Sequence, residues 1–193
     1  EFNTSETTTQ KGWELAFQYD LSQYEDVLGW ASGFGILANY TKQEQDYNEE
    51  FSTISGSRAT AFWEAQGFAG GVVYLPFQLL DLSEDAYNVT VYFENERLSA
   101  RVRYTWRDAY FTDELPGTGN VFTPLGGRGV VNARGQLNFG ASYHVNDNIT
   151  LSLEGNNLIE SDVDVSCLKE NALLCYRGIT DRRLTFGAAY RFD

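Results

Sequence analysis

Few side chains in this sequence could do covalent or metal chemistry, and they stand far apart. Its one histidine is His144, and its two cysteines, Cys167 and Cys175, sit close together in a polar stretch. A structural zinc site draws on several Cys and His ligands, so no metal site is expected, nor any cofactor. Two nearby cysteines fit a local disulfide better, and that points to an oxidising compartment such as a periplasm or cell surface. Loop-closure reasoning gives such a ring about 2–3 kcal/mol of stabilisation; rigidity of its loop is a better reading than a redox role. No serine and acid can be placed around His144 to build a nucleophilic triad, so nothing here argues for an enzyme.

Binding chemistry is better represented. Arg101, Arg103 and Arg107 fall on one face of an alternating segment. They could steer an anionic ligand, or simply pair with acids on the same face such as Glu14, Asp20 and Glu154. Phe62, Trp63, Phe68 and Tyr74 lie in a long polar stretch beside Gly67, Gly70 and Gly71. Aromatics there could grip a ligand, mark a membrane interface or pack the loop on itself. Phe62, Trp63, Arg101 and Arg103 are the candidate substrate-binding residues. Asn39, Asn88 and Asn148 begin glycosylation sequons, but two of these fall on strands and none is taken as a modification site.

The elements that must position these residues alternate with period two, the signature of strands. Trp13, Leu15, Phe17, Tyr19 and Leu21 alternate with polar and small neighbours, and Phe34, Ile36, Ala38 and Tyr40 do so over Gly33–Thr41. The rhythm returns at Tyr87, Val89, Val91 and Phe93, and at Leu98, Ala100, Val102, Tyr104 and Trp106. It continues at Leu137, Phe139, Ala141, Tyr143 and Val145, then Ile149, Leu151 and Leu153, and ends at Leu184, Phe186, Ala188, Tyr190 and Phe192. That makes about seven strands. Short connections at Ser22–Gly29, Asn95–Arg97 and Asn146–Asn148 take turns with long ones at Gln43–Glu84, Phe111–Ala133 and Glu160–Arg182. Alternating short turns and long polar loops are what outer-membrane barrels show, short turns periplasmic and long loops extracellular. Ala59–Ala65 and Val72–Phe77 look strand-like and would extend the longest loop as a ribbon; Phe111–Ala133, rich in Gly and Pro, reads as mobile.

Composition agrees. No stretch approaches the ~20 apolar residues of a membrane helix, yet hydropathy averages out in barrel strands. The 13 Phe, 12 Tyr and 4 Trp suit aromatic girdles. A formal net charge of -13 makes nucleic acid an unfavourable partner. An odd run of antiparallel strands cannot close on itself, so the sequence is expected to be part of a larger barrel. With no initiator Met and no signal peptide, it is expected to start part-way into a precursor.

Several of these segments resemble TonB-dependent outer-membrane receptors. Lys11-Gly12-Trp13-Glu14-Leu15 resembles a strand entry of that family, and Ala86–Glu94 its "xYNxxxYYE" strand, followed by a short turn and Leu98–Tyr104. Ile149–Leu158 resembles the penultimate strand, with Ile159-Glu160-Ser161 in place of its usual "TDE" tail. Phe186–Phe192 resembles the closing strand, whose Gly187, Tyr190 and Phe192 would be the signal read by the barrel-assembly machinery; here Asp193 follows the last aromatic. The resemblance implies an all-β, antiparallel transmembrane barrel of roughly 22 strands, of which residues 1–193 are a C-terminal part with the plug domain absent. It implies TonB-coupled uptake of a scarce nutrient such as a ferric siderophore, cobalamin or oligosaccharide. The implied partners are outer-membrane lipid, the assembly machinery, a small nutrient ligand, and TonB reached through the plug. Arg101 and Arg103 could then hold an anionic plug surface. A passive porin and a soluble all-β binding module are the alternatives.

Overall fold

The computed structural model describes residues 9–46, 50–52, 64–65, 74–76, 80–112, 129–167, 170–171 and 173–192. In chain order the strands are β1 (Thr9–Asp20), β2 (Phe34–Asp46), β3 (Glu50–Ser52), β4 (Tyr74–Pro76), β5 (Asp85–Glu94), β6 (Leu98–Arg107) and β7 (Tyr110–Thr112). They continue with β8 (Gly129–Val131), β9 (Arg134–His144), β10 (Ile149–Asn156), β11 (Val163–Cys167), β12 (Leu173–Gly178) and β13 (Arg183–Tyr190). Seven of them form one antiparallel sheet in the order β1-β2-β5-β6-β9-β10-β13. These are the seven segments with period-two alternation. The sheet is not closed: β1 and β13 are its edges and run in the same direction, so they cannot pair antiparallel with each other.

The register keeps every apolar set on one face. Phe17 lies opposite Ala38, Ala38 opposite Val89, Val89 opposite Tyr104, and Tyr104 opposite Leu137. A one-residue slip anywhere would turn a strand's apolar residues to the other face. Gly35 lets β2 and β5 meet across this register, because a Cβ there would run into the Tyr92 ring. At one end of the apolar face Trp13 packs edge-on against Tyr40 and Tyr87 stacks on Trp106. There the Tyr40 hydroxyl and Lys42 ammonium meet the Asp85 carboxylate, Lys42 at 3.3 Å. At the other end Phe34 and Phe93 pack with centroids 4.9 Å apart. Aromatic rows at both ends of an apolar band are the pattern of a barrel girdle.

Among the described residues no second layer packs on this apolar face. Phe17, Leu184 and Phe186 are 57%, 68% and 70% exposed, and among the described residues the only buried hydrophobic side chains are Val130, Val165 and Cys167. None of the three belongs to the seven-stranded sheet. A soluble sandwich would bury one face of each sheet against the other, and no such layer exists among the described residues.

Short and long connections sort to opposite ends. The β5–β6 and β9–β10 turns are closed by asparagines: Asn95 Oδ1 accepts from the Arg97 and Leu98 amides, and Asn146 Oδ1 from the Asn148 and Ile149 amides. The β1–β2 connection, expected only to be short over Ser22–Gly29, is helical and runs from Ser22 to Gly33.

The long connections depart most from expectation. The Phe111–Ala133 and Glu160–Arg182 stretches join in a second sheet of four strands, β12-β11-β8-β7. Residues Gly129–Val131 of the stretch read as mobile pair on both sides, with β11 and β7. The ribbon in the longest connection pairs Tyr74–Pro76 with Glu50–Ser52. Glu64 and Ala65 are helical, which corrects the strand reading at the end of Ala59–Ala65; the rest of that segment lies outside the described residues.

Candidate functional site

The polar face is assembled from residues that alternate with the apolar ones. One row runs Asp20, Gly35, Tyr92, Arg101, Gly140, Glu154, Thr185 across the whole sheet. The next includes Gln18, Thr90, Arg103 and Asn138. All of these but Gly35 and Thr185 line an open hollow of about 720 Å³. The glycines make it possible: Gly140 leaves space beside Arg101, whose Nε would lie 3.6 Å from a Cβ at that position.

Three carboxylates, Asp20, Glu94 and Glu154, line the hollow with the two arginines. Asp20 is engaged, accepting from the Tyr92 hydroxyl at 3.0 Å and the Ser22 amide at 2.7 Å. Among the described residues, neither Arg101 nor Arg103 is within ion-pair distance of a carboxylate. The pairing with Glu14, Asp20 and Glu154 that would have neutralised them is not formed. Lying beside each other on this face, Arg101 and Arg103 offer planar, bidentate hydrogen-bond forks at contact.

Arg107, grouped with them by alternation, is structural. Its Nε donates to Ser83 Oγ at 2.6 Å, a second guanidinium nitrogen donates to the Asp81 carbonyl, and the group lies 3.9 Å over the Tyr110 ring. Ser83 Oγ donates in turn to the Asp108 carbonyl. Arg134, the Cα partner of Arg107, shares a smaller hollow of about 250 Å³ with it. No sequence pattern singled out Arg134, because its neighbour is brought there by register.

Phe62 and Trp63, the aromatic half of the candidate site, lie outside the described residues, as do Phe68, Gly67, Gly70 and Gly71. His144 is held by Thr150, its Nδ1 lying 2.9 Å from Thr150 Oγ1.

The second sheet is cross-braced. Cys167 and Cys175 are bonded, with Cα atoms 5.7 Å apart, and the bridge joins β11 to β12 beside a break in their register at Val165/Ser166. Asp164 takes two hydrogen bonds from Arg177, both at 2.6 Å. The Arg177 guanidinium, against some desolvation, holds the Asp164 carboxyl below the ordinary aspartate value. Asn132 Oδ1 accepts from Ser166 Oγ and the Asn171 amide.

Asn157, also missed by the sequence reading, ties this region to the large sheet. It has φ +51° and is 5% exposed. Its Oδ1 accepts from the Ser161 amide, its Nδ2 donates to the Thr180 carbonyl, and its own amide donates to Asn138 Oδ1. The available signal was an Asn just past a strand, since Asn tolerates the left-handed region better than other non-glycine residues.

At the last strand Gly187 faces Ser152, where a Cβ would meet the Ser152 hydroxyl. Tyr190 and Phe192 pack edge to face at 4.7 Å, and Phe192 is 84% exposed. The Arg191 amide donates to the Asn148 carbonyl at 2.8 Å, carrying the pairing one residue past β13.

The sequence model of the family described as TonB dependent receptor-like, beta-barrel, matches residues 2–158. Among solved structures, that of the siderophore receptor PiuA from Acinetobacter baumannii superposes with a TM-score of 0.56 and 15% sequence identity. The match takes in 95% of this chain and 22% of that one. At that identity the likeness is one of fold, and the chain spans about a fifth of the receptor's length. No curated protein sequence matches.

Proposed function

The chain belongs to the TonB-dependent receptor-like β-barrel family, and from that premise we propose that it contributes wall strands to an outer-membrane receptor for TonB-coupled uptake. The apolar face then meets lipid and the polar face lines the barrel interior. In the full receptor a plug domain fills that interior and carries the contact with TonB. The four-stranded loop sheet lies on the extracellular side, where its disulfide is at home in an oxidising compartment.

The observation that carries the substrate reading is the pair Arg101 and Arg103 in the polar hollow, neither within ion-pair distance of a carboxylate among the described residues. They favour an anionic nutrient complex, and a ferric siderophore is the first class to try, as the fold neighbour is a siderophore receptor. Phe62 and Trp63 would supply apolar contact from the longest loop. Uptake of radiolabelled ferric siderophores into cells bearing the intact receptor tests this. Transport should require TonB and collapse when the proton gradient is dissipated. The double variant Arg101→Ala/Arg103→Ala should reach the surface normally and lose most uptake. Wild-type uptake by that variant would remove the arginines from the ligand path, and uptake indifferent to TonB would point to a passive pore.

A further inference from the structure

The helical connection Ser22–Gly33 is unlike the two short turns beside it. Those are tight and polar. This one runs through a 3-10 turn at Ser22–Tyr24, one α-turn at Glu25–Leu28 and a second 3-10 turn at Gly29–Gly33. Gly29, at φ +53°, breaks the direction between the last two, a conformation a side chain would strain. The result is an exposed apolar cluster at the end of the sheet: Val27 is 84% exposed, Trp30 77%, and Leu28 adds part of its surface.

The position of Trp30 identifies what covers that cluster. Its ring lies 6.0 Å from Phe34 and 6.3 Å from Phe93, the last aromatic pair on the apolar face of the sheet. The apolar surface of the turn is therefore continuous with the face that meets lipid, and Ser22, Gln23, Glu25 and Asp26 are exposed polar residues of the same connection. Tryptophan and tyrosine, each an apolar ring with a polar edge, concentrate at the membrane–water interface. We propose that the Ser22–Gly33 turn is seated in the inner leaflet of the outer membrane, with Val27 and Trp30 in contact with phospholipid near the headgroups. It would anchor the short-turn end of the wall. The β5–β6 turn would stand in water. This inference rests on the reading of the apolar face as lipid-facing, and the experiment separates the two.

Single cysteines placed by Val27→Cys, Val102→Cys and Glu96→Cys in the intact receptor, with the Cys167–Cys175 bond kept, would carry an environment-sensitive fluorophore. Val102 lies mid-strand on the apolar face and Glu96 in the β5–β6 turn. The labelled proteins go into phosphatidylcholine vesicles doped with lipids spin-labelled either at the headgroup or deep in the acyl chain. The Val27→Cys label should lose most of its emission to the headgroup quencher, the Val102→Cys label to the deep one, and the Glu96→Cys label to neither. If the Val102→Cys label is quenched and the Val27→Cys label is not, the inference is overturned. A blue-shifted, unquenched Val27→Cys label would mean that protein covers the turn, and an unshifted one that water does. If neither of these two labels is quenched, the lipid-facing reading falls and takes the inference with it.

Discussion

Opening the Cys167–Cys175 ring should loosen the loop sheet and leave the large sheet alone. The two cysteines are separated by 8 residues, and a ring of that size removes about 8 cal/mol/K from the opened chain, or about 2.5 kcal/mol at 25 °C. At ~1.4 kcal/mol per factor of ten, the opening equilibrium of the β11–β12 hairpin should shift by roughly 60-fold. Because β8 pairs with β11 through Val131, Val130 and Gly129, the loosening should reach it. The anchors at Asn157 and the strands β10 and β13 have their own hydrogen bonds and should not feel it. Amide hydrogen exchange on the intact receptor in detergent measures this directly. Oxidised wild type is compared with reduced wild type and with the Cys167→Ala/Cys175→Ala variant, so that loss of the bond is separated from loss of the side chains. Protection over Gly129–Val131 and Val163–Cys167 should fall by more than about tenfold in both cases. A change of less than about threefold there would refute the entropic argument, and an equal fall across Ile149–Asn156 and Arg183–Tyr190 would refute the claim that the brace is local.

Replacing Asn157 by glycine keeps the left-handed backbone and removes its side-chain bonds, whereas alanine loses both. Glycine should cost about 1–3 kcal/mol and alanine about 1 kcal/mol more in urea or thermal unfolding of the folded barrel; equal losses would mean that the backbone conformation does not matter. Asp164 has its folded-state carboxyl lowered by Arg177, so its contribution is present at neutral pH, above the ordinary value. That contribution is lost as pH falls below about 4 through the lowered folded value. Exchange rates in β11 and β12 should rise on acidification in wild type, and Asp164→Asn should show raised rates at neutral pH with little further change. Phe192→Ala should reduce the amount of folded, heat-modifiable receptor in the outer membrane without changing its stability once folded; wild-type surface levels would remove Phe192 from the assembly signal.

Much of the architecture was legible because the pleat is local. Side chains alternate wherever a strand forms, so the faces of β5, β6 and β9 could be read one strand at a time. The two-sided pattern of Leu98–Trp106 gave both the apolar face and the arginines. The Asn-rich tips at Asn95 and Asn146 announced their turns because the side chain itself closes them. The helical turns in the Ser22–Gly29 connection were not legible: the segment is too short for helical periodicity to register, and its apolar residues have no repeat.

Sequence alone determined the all-β class, the two faces, the alternation of short and long connections and the pairing of two lone cysteines. Each follows from neighbours in the chain. The tertiary structure decided which arginines are free and which are tied down. Among the described residues Arg101 and Arg103 meet no carboxylate, while Arg107 meets Ser83, Asp81 and Tyr110, although all three occupy equivalent positions in the same alternation. It also decided that Gly129–Val131, Val163–Cys167 and Leu173–Gly178 become one sheet. Those strands are brief: β11 and β12 form a local hairpin within one connection, but β8 reaches β11 from another, through pairing between segments far apart in sequence. No local periodicity carries that information, because the partner that satisfies each backbone amide is chosen only when the large sheet has brought the loops together.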